Sequence, residues 1–182
     1  MQGEKKRSRE ELERHLDEIR NAPEDGGRIA EIVIRPAEGE RQRLPSAELS
    51  PRWGIVGDRW ASCAVRDVTH HLQRQITIMN LRVAALIAGP QARWALAGDN
   101  LYIDLDLSVA NLPAGQRLQI GSVSLEVTPM PHRGCRKFAE RFGHDALAFV
   151  NAPAYADLRL RGIHARVIEG GIVRVGDRVW KC

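Results

Sequence analysis

The sequence predicts a mainly β domain: a closed or nearly closed antiparallel barrel with a few short helices on its rim. Three observations support this fold class. Apolar and polar residues alternate in several short segments, as they do in half-buried strands. Glycine-containing pairs separate these segments and are typical of tight hairpin turns. The longest apolar run, Val83 to Ala88, is too short to cross a bilayer.

Residues 1–27 are predicted to form a charged N-terminal extension with one helix over 8–20. Ser8 and Glu11 match a capping box. Apolar residues then recur at helical spacing, at Leu12, Leu16 and Ile19. Because this stripe is narrow and the charges alternate in sign, we expect a peripheral helix that the fold of residues 28–182 can lose.

Period-two alternation begins after residue 28. It occurs over Ala30–Ile34, Gln75–Ile78 and Val123–Val127. Leu118 and Ile120 precede Gly121-Ser122, which indicates a two-residue hairpin into the last of these segments. Three more short strands are predicted over 163–169, 172–175 and 178–181. We expect them to complete the barrel, with Trp180 closing it.

Three short helices are predicted between the strands, over 81–88, 136–142 and 145–151. Asn80 can cap the first, and Gly89 followed by Pro90 ends it. Gly143 ends the second. A single domain over 28–182 accommodates all these elements, because 182 residues supply one core of ordinary size.

Charge and cysteine content narrow the functional classes. The net charge is +4, and the last 54 residues hold ten Lys and Arg against five Asp and Glu. The first residues lack the apolar segment of a secretory signal, and three cysteines without a C-x-x-C pair fit a reducing compartment. We therefore expect a cytoplasmic protein without disulfides or a membrane segment, whose basic part binds an anion.

Cys135 is the strongest candidate for chemistry. It is predicted at the N-terminus of the second helix, where free backbone N–H groups and the positive end of the dipole favour a thiolate. His132, Arg133, Arg136 and Lys137 add positive charge around it. A thiolate attacks electrophiles or ligates a soft metal. By contrast, packing in an apolar stretch accounts for Cys63, and Cys182 is the last residue of the sequence.

Other kinds of site find weaker support. His132 and Cys135 have ligand-like spacing for zinc, but no second Cys/His pair completes the site. Nucleotide-binding glycine motifs are absent from the sequence. Asn100, in the turn Gly98-Asp99-Asn100-Leu101, could hydrogen-bond a polar ligand. Arg159 and Arg161 have strand-like spacing and could grip a phosphate from one face.

Several segments, in this order, resemble the MOSC domain, the module named for the C-terminal domain of molybdenum-cofactor sulfurases. They are Gly57-Asp58-Arg59, Ile76–Asn80, Gly98-Asp99-Asn100-Leu101, Leu118–Gly121, and the isolated Cys135 after Val127-Thr128. Two positions depart from the family pattern. Asp99 stands where Glu is usual, and Gly134 stands where many members have Pro.

The resemblance implies a β-barrel that binds the molybdenum cofactor, a pterin phosphate carrying Mo, with the sulfur of Cys135 on the metal. The residues that it suggests for cofactor contact are His132, Arg133, Gly134, Arg136, Lys137, Asp99, Asn100, Arg159 and Arg161. Family members either reduce N-hydroxylated compounds or handle sulfur for the cofactor, so Cys135 could instead carry a persulfide. A third possibility is a module that only binds the cofactor.

A reductase would need an external electron donor, because the sequence has no flavin or iron–sulfur motif. A small-molecule substrate is then expected. A barrel that binds RNA or single-stranded DNA is the alternative from another class. Aromatic residues make up only 5% of the chain, too few for the stacking platforms that such binding uses.

Overall fold

The structure, a computed structural model, describes residues 6–63 and 67–182. Seven strands form a closed barrel in the order β11-β7-β8-β9-β5-β6-β1, and β11 pairs with β1 to complete it. The strands are β1 (Gly27–Ile34), β2 (Gln42–Leu44), β3 (Ser46–Ser50), β4 (Gly54–Ile55), β5 (Ile76–Asn80), β6 (Leu101–Asp104), β7 (Arg117–Ile120), β8 (Val123–Val127), β9 (Ile163–Glu169), β10 (Gly171–Arg174) and β11 (Arg178–Lys181). The barrel predicted from the sequence is confirmed.

The pairing is antiparallel with one exception, so the sheet is mixed. β5 and β6 run parallel, with Ile78 opposite Leu101. A parallel neighbour requires a crossover, and a helix between the two strands supplies it. Outside the barrel, β2 pairs with the last residues of β1. The strands β3, β4 and β10 form a separate small sheet.

Short helices surround the barrel. They are α1 (Arg9–Glu13), α2 (Leu16–Arg20), α3 (Val68–Leu72), α4 (Leu81–Ala88), α5 (Arg136–Phe142) and α6 (His144–Val150), with 3₁₀ turns at Arg59–Ser62, Gln91–Ala97 and Pro153–Leu158. The three helices predicted between strands are found, with the third starting one residue earlier. The Asn80 side chain accepts a hydrogen bond from Arg82 N, and Gly89 ends α4 at a φ of 72°. No helix in the two described ranges is both long enough and apolar enough for a membrane span.

The N-terminal segment differs from its prediction in two ways. The capping box of Ser8 and Glu11 is present, but the helix breaks at Arg14 and continues as α2. Leu12, Leu16 and Ile19 are buried in an apolar layer shared with α4, α5 and α6. The expectation of a peripheral helix is therefore wrong, because these side chains are part of a core. That residues 28–182 fold without this segment stays a prediction.

The β7–β8 hairpin forms through its local turn, whereas the C-terminal strands pair with partners far away in the sequence. Gly121 adopts a φ of 58° in a two-residue turn, and Ile120 pairs with Val123 as predicted. The C-terminal strands, however, do not pair with one another: β10 joins β3, and β11 joins β7 and β1. β11 closes the barrel through buried Val179, whereas Trp180 points outward and is 47% exposed. The role assigned to Trp180 is therefore wrong.

A β-bulge in β1 changes which residues face the barrel interior. The register with β6 shifts between Ile29 and Glu31, so Ala30 leaves the interior face. Ile29, Ile32 and Ile34 fill the barrel core instead, whereas the alternation predicted Ala30 in their row. A bulge adds one residue to a strand, and the period-two pattern therefore slips at that point.

Glu31, which follows the bulge, has a buried carboxylate, and its side chain is 5% exposed. Arg43 Nε lies 2.9 Å from Glu31 Oε1, but neither Glu31 oxygen has a well-directed hydrogen bond from a described residue. Burial raises the pKa of Glu31 above its usual 4.5, and the charge of Arg43 offsets only part of that rise.

We expect Glu31→Gln to stabilise the protein at neutral pH by about 0.5–1 kcal/mol. The folded state holds the Glu31 proton more tightly than the unfolded state, so wild-type stability falls as pH rises through the folded pKa. The advantage of the variant should vanish below about pH 4, where both states are protonated. Urea unfolding of the wild type and the variant between neutral pH and about pH 4 measures this difference in stability. A difference that increases toward acidic pH would contradict the prediction.

Candidate functional site

Two adjoining cavities open beside the end of the barrel from which the chain leaves β8. Their volumes are about 600 and 420 Å³, and the segment Met130–Arg133 lines both. The larger cavity also has Trp60, Thr77 and His164 in its wall. The smaller is bordered by the 3₁₀ turn Pro153–Leu158 and the residues after it. Volumes of this size suit a small-molecule ligand.

Arginine dominates the charge of both cavities. The described wall residues with this side chain are Arg35, Arg59, Arg74 and Arg133 in the larger cavity, and Arg133, Arg159 and Arg161 in the smaller. Asp58 is the one carboxylate among the described lining residues of both cavities, and Arg35 pairs with it at 2.9 Å. The walls therefore carry a surplus of positive charge, which favours an anionic ligand.

A buried network under the larger cavity holds Arg35 in place. Arg35 donates to both oxygens of Asp58 and, through Nη2, to Asn100 Oδ1 at 3.1 Å. Asn100 Oδ1 also accepts from Thr77 Oγ1, while Asn100 Nδ2 donates to Asp58. Burial alone would raise the pKa of Asp58, but the hydrogen bonds and charge of Arg35 outweigh it and lower that pKa.

A second buried network lies under the smaller cavity. Arg161 Nη1 donates to Asp99 Oδ2 at 2.6 Å, and Arg161 Nη2 donates to the carbonyl of Ala97. The Arg161 guanidinium also lies over the Phe138 ring, 5.1 Å from its centre. Arg161 Nε is buried and has no hydrogen-bond partner among the described residues. The site thus contains a fixed cation with one N–H unused.

Asp99 and Asn100 were predicted to contact a cofactor, and the structure places both beneath the cavities with no exposed surface. Their side chains bind Arg161 and Arg35, which do line the cavities. The turn Gly98–Leu101 therefore orients two cations. The shorter Asp at position 99 still reaches Arg161.

Cys135 lies at the N-terminus of α5, as predicted, and is exposed. Its side chain makes no capping hydrogen bond to the described helix. Cys135 is two residues beyond Arg133, which lines both cavities, and Gly134 lies between these two residues in the chain. The thiol is solvent-exposed, and Cys135 is not among the described wall residues of either cavity.

Gly134 contributes through its backbone. Its N–H donates to Asn151 Oδ1 at 2.9 Å, and its carbonyl accepts from Asn151 Nδ2. A Cβ at this position would lie 2.7 Å from a methyl group of Leu147. Glycine therefore allows the loop before Cys135 to pack closely on α6, where a larger residue would push it away.

Two of the predicted phosphate-binding residues, Arg136 and Lys137, lie outside the described walls of both cavities. Arg136 is 88% exposed and pairs with Glu140 one helical turn later, and Lys137 pairs with Glu38 at 2.8 Å. Neither is among the described wall residues of the cavities. The helix places successive residues about 100° apart, so sequence proximity to Cys135 does not bring these side chains to the site. Arg159 does line the smaller cavity, from a left-handed backbone position with a φ of 48°.

Sequence reasoning missed several residues of the site. Arg35, Arg74, Trp60 and His164 come from four separate segments, and only the motif Gly57-Asp58-Arg59 pointed near them. Cys63 was interpreted as a packed residue, yet it is exposed and lines the larger cavity. The preference for Cys135 over Cys63 therefore cannot rest on burial.

Comparison with known proteins identifies the fold. YuaD from Bacillus subtilis superimposes with a TM-score of 0.60 at 19% identity, over 85% of this chain and 94% of that one. YiiM from Escherichia coli superimposes with a TM-score of 0.54 at 18% sequence identity, over 85% of this chain and 69% of that one. YiiM from Geobacillus stearothermophilus superimposes with a TM-score of 0.54 at 15% sequence identity, over 86% of this chain and 75% of that one.

No curated protein shows significant sequence similarity to the chain. The model of the MOSC domain, however, matches residues 56–180, which contain most of the cavity wall and Cys135. This protein therefore belongs to the MOSC domain family.

Proposed function

We propose that the protein binds the molybdenum cofactor and uses it to reduce N-hydroxylated or N-oxygenated small molecules, with Cys135 as the metal ligand. The observation that carries this proposal is an exposed thiol at Cys135, two residues along the chain from Arg133, which lines two arginine-rich cavities. A thiolate suits molybdenum, and arginine suits a phosphate monoester. MOSC domains are associated with this cofactor, which agrees with the donor set.

The residues present fit such a group. Arg133, Arg159 and Arg161 line one cavity together and would hold the phosphate. Arg161 Nε, which lacks a hydrogen-bond partner among the described residues, is a donor available at that place. Cys135, which is exposed at the start of α5, would hold the metal.

The bound cofactor would supply the two-electron chemistry. The side chains of the protein bind and position the anion. Arg161 and Arg35 contact it, and the buried carboxylates of Asp99 and Asp58 hold these two arginines in place. Reduction of a hydroxylamine consumes two electrons and two protons and yields an amine and water. We propose that an external reductase supplies the electrons, since the sequence has no electron-transfer motif.

Expression in a molybdenum-competent cell tests the proposal. The purified protein should contain molybdenum and pterin in similar amounts, measured by elemental analysis and by fluorescence of the oxidised pterin. Given a chemical reductant, it should convert a model hydroxylamine into the amine. Protein from such a cell with neither metal nor pterin would contradict the proposal.

Arg133 and Arg136 provide a matched pair of variants. Both are exposed, but only Arg133 is a wall residue among those described. Loss of a charged contact costs about 1.5–3 kcal/mol, so we expect Arg133→Gln to retain roughly tenfold less cofactor after dialysis. Arg136→Gln should retain as much as the wild type. Equal losses in both variants would move the anion site to the surface of α5.

A sulfur-carrier function is the second candidate, and the exposure of Cys135 favours it. An accessible thiol can accept a sulfur atom from a persulfide donor and pass it on, and the positive surroundings stabilise the persulfide anion. Intact mass spectrometry of protein incubated with a persulfide donor separates the two candidates. One added sulfur on Cys135, in protein that contains no molybdenum, would favour the carrier.

A further inference from the structure

His132 is the histidine that lines both cavities, and its side chain lies almost entirely inside the protein. Its side chain is 11% exposed, and its ring lines each cavity. It packs against the ring of His164 with the centres 4.4 Å apart. A histidine at the junction of two cavities is placed to contact whatever occupies them.

One side of the His132 ring faces a carboxylate. Nδ1 lies 3.6 Å from Asp99 Oδ1, which is longer than a hydrogen bond. Both atoms are buried, and each lacks a hydrogen-bond partner among the described residues. A small shift of the ring would pair them, and such contacts often tighten only when a ligand binds. With Nδ1 turned to Asp99, Nε2 is the nitrogen left to face the cavities.

Charges around His132 are mostly positive. The groups that face it are Arg161, Arg35, Arg74, His164 and the carboxylate of Asp99. Burial, followed by these positive groups, lowers the pKa of His132 well below 6.5, which favours the neutral ring. Burial also lowers the pKa of His164, to about 4, and its Nδ1 is within 3.1 Å of the Met130 carbonyl.

We propose that His132 takes up a proton when an anion occupies the cavities, and that Asp99 is the positioning residue that directs its Nε2 at the bound molecule. An anion offsets the arginine charges that oppose protonation of the ring. Asp99 then accepts from Nδ1–H and stabilises the imidazolium. His132, and not His164, gains the proton because only the former faces a carboxylate with an unused oxygen.

This inference rests on the proposed function and gives it a proton donor. When a hydroxylamine is reduced, the N–O bond breaks as the external reductase's two electrons reduce the nitrogen, and the oxygen leaves as water. One of the two protons consumed would come from His132 Nε2 and the other from solvent. The ring then returns to its neutral form.

Sulfate is a suitable probe, because its charge is constant over the range in which histidine titrates. We expect ¹⁵N NMR of the full chain to place the proton of neutral His132 on Nδ1, facing Asp99. Saturating sulfate should then raise the apparent pKa of His132 by about one unit, which corresponds to about tenfold tighter sulfate binding to the protonated protein.

Substitutions of single histidines test whether His132 causes the pH dependence of sulfate binding. His132→Gln should abolish the increase in sulfate affinity on acidification, whereas His70→Gln, an exposed histidine outside the described walls of both cavities, should preserve it. An unshifted His132 resonance with sulfate bound, absence of sulfate binding, or the proton of neutral His132 on Nε2 would overturn the inference. Molybdenum and pterin content, measured separately, tests the proposed function, so the two failures are distinguishable.

Discussion

Cys135→Ser should lose nearly all of its molybdenum. Replacing the soft thiolate by a hard, weakly acidic hydroxyl removes the proposed ligand. Changes outside the ligand shell already cost 10–100-fold in metal affinity at typical sites, so we expect a loss of at least about 100-fold here. Reduction of hydroxylamines should fall by a similar factor. Elemental analysis and product formation, measured on the same preparation, check both results.

The fold of this variant should be intact, which makes the result interpretable. Position 135 is the N-cap of α5, where serine is a preferred residue. Cys182→Ser is the control for an exposed cysteine at the end of the sequence. Cys63→Ser is the sharper comparison, because Cys63 lines the larger cavity. If Cys63→Ser lost the metal and Cys135→Ser kept it, the ligand assignment would be wrong.

Asp99→Ala should destabilise the protein by about 3–5 kcal/mol, because it leaves the buried guanidinium of Arg161 without its carboxylate. The side chain of Arg161 is 8% exposed, so the unpaired guanidinium would stay largely buried. Urea unfolding measures the effect. Exposed Arg136→Ala, which breaks the pair with Glu140, should change stability by less than about 0.5 kcal/mol.

A double variant separates charge burial from lost packing. Replacing Asp99 by Ala and Arg161 by Leu removes both charges, and apolar replacement of a buried pair is often neutral. We therefore expect the double variant to recover at least half of the stability that Asp99→Ala loses. A double variant as unstable as Asp99→Ala would show that packing, and not the unpaired cation, causes the loss.

Local chemistry in the sequence was sufficient for several elements. The Asn80 cap, the Gly89 stop and the Gly121-Ser122 turn depend on neighbouring residues, and each is found in the structure. Alternation placed β5 and β8 correctly, because neither strand contains an extra residue and every second side chain therefore stays inside the barrel. It failed at β1, where a bulge imposed by β6 shifted the inward row from Ala30 to Ile29.

The sequence by itself thus determined the β-barrel class, the family resemblance and the position of Cys135 at the start of a helix. Only the tertiary structure decided which cations share the cavities, because Arg35, Arg74, Arg133 and Arg161 meet through strand pairings between distant segments. It also decided that Asp99 lies beneath them as a buried partner. Nearest neighbours determine caps and turns, whereas side chains remote along the chain determine burial and charge at a site.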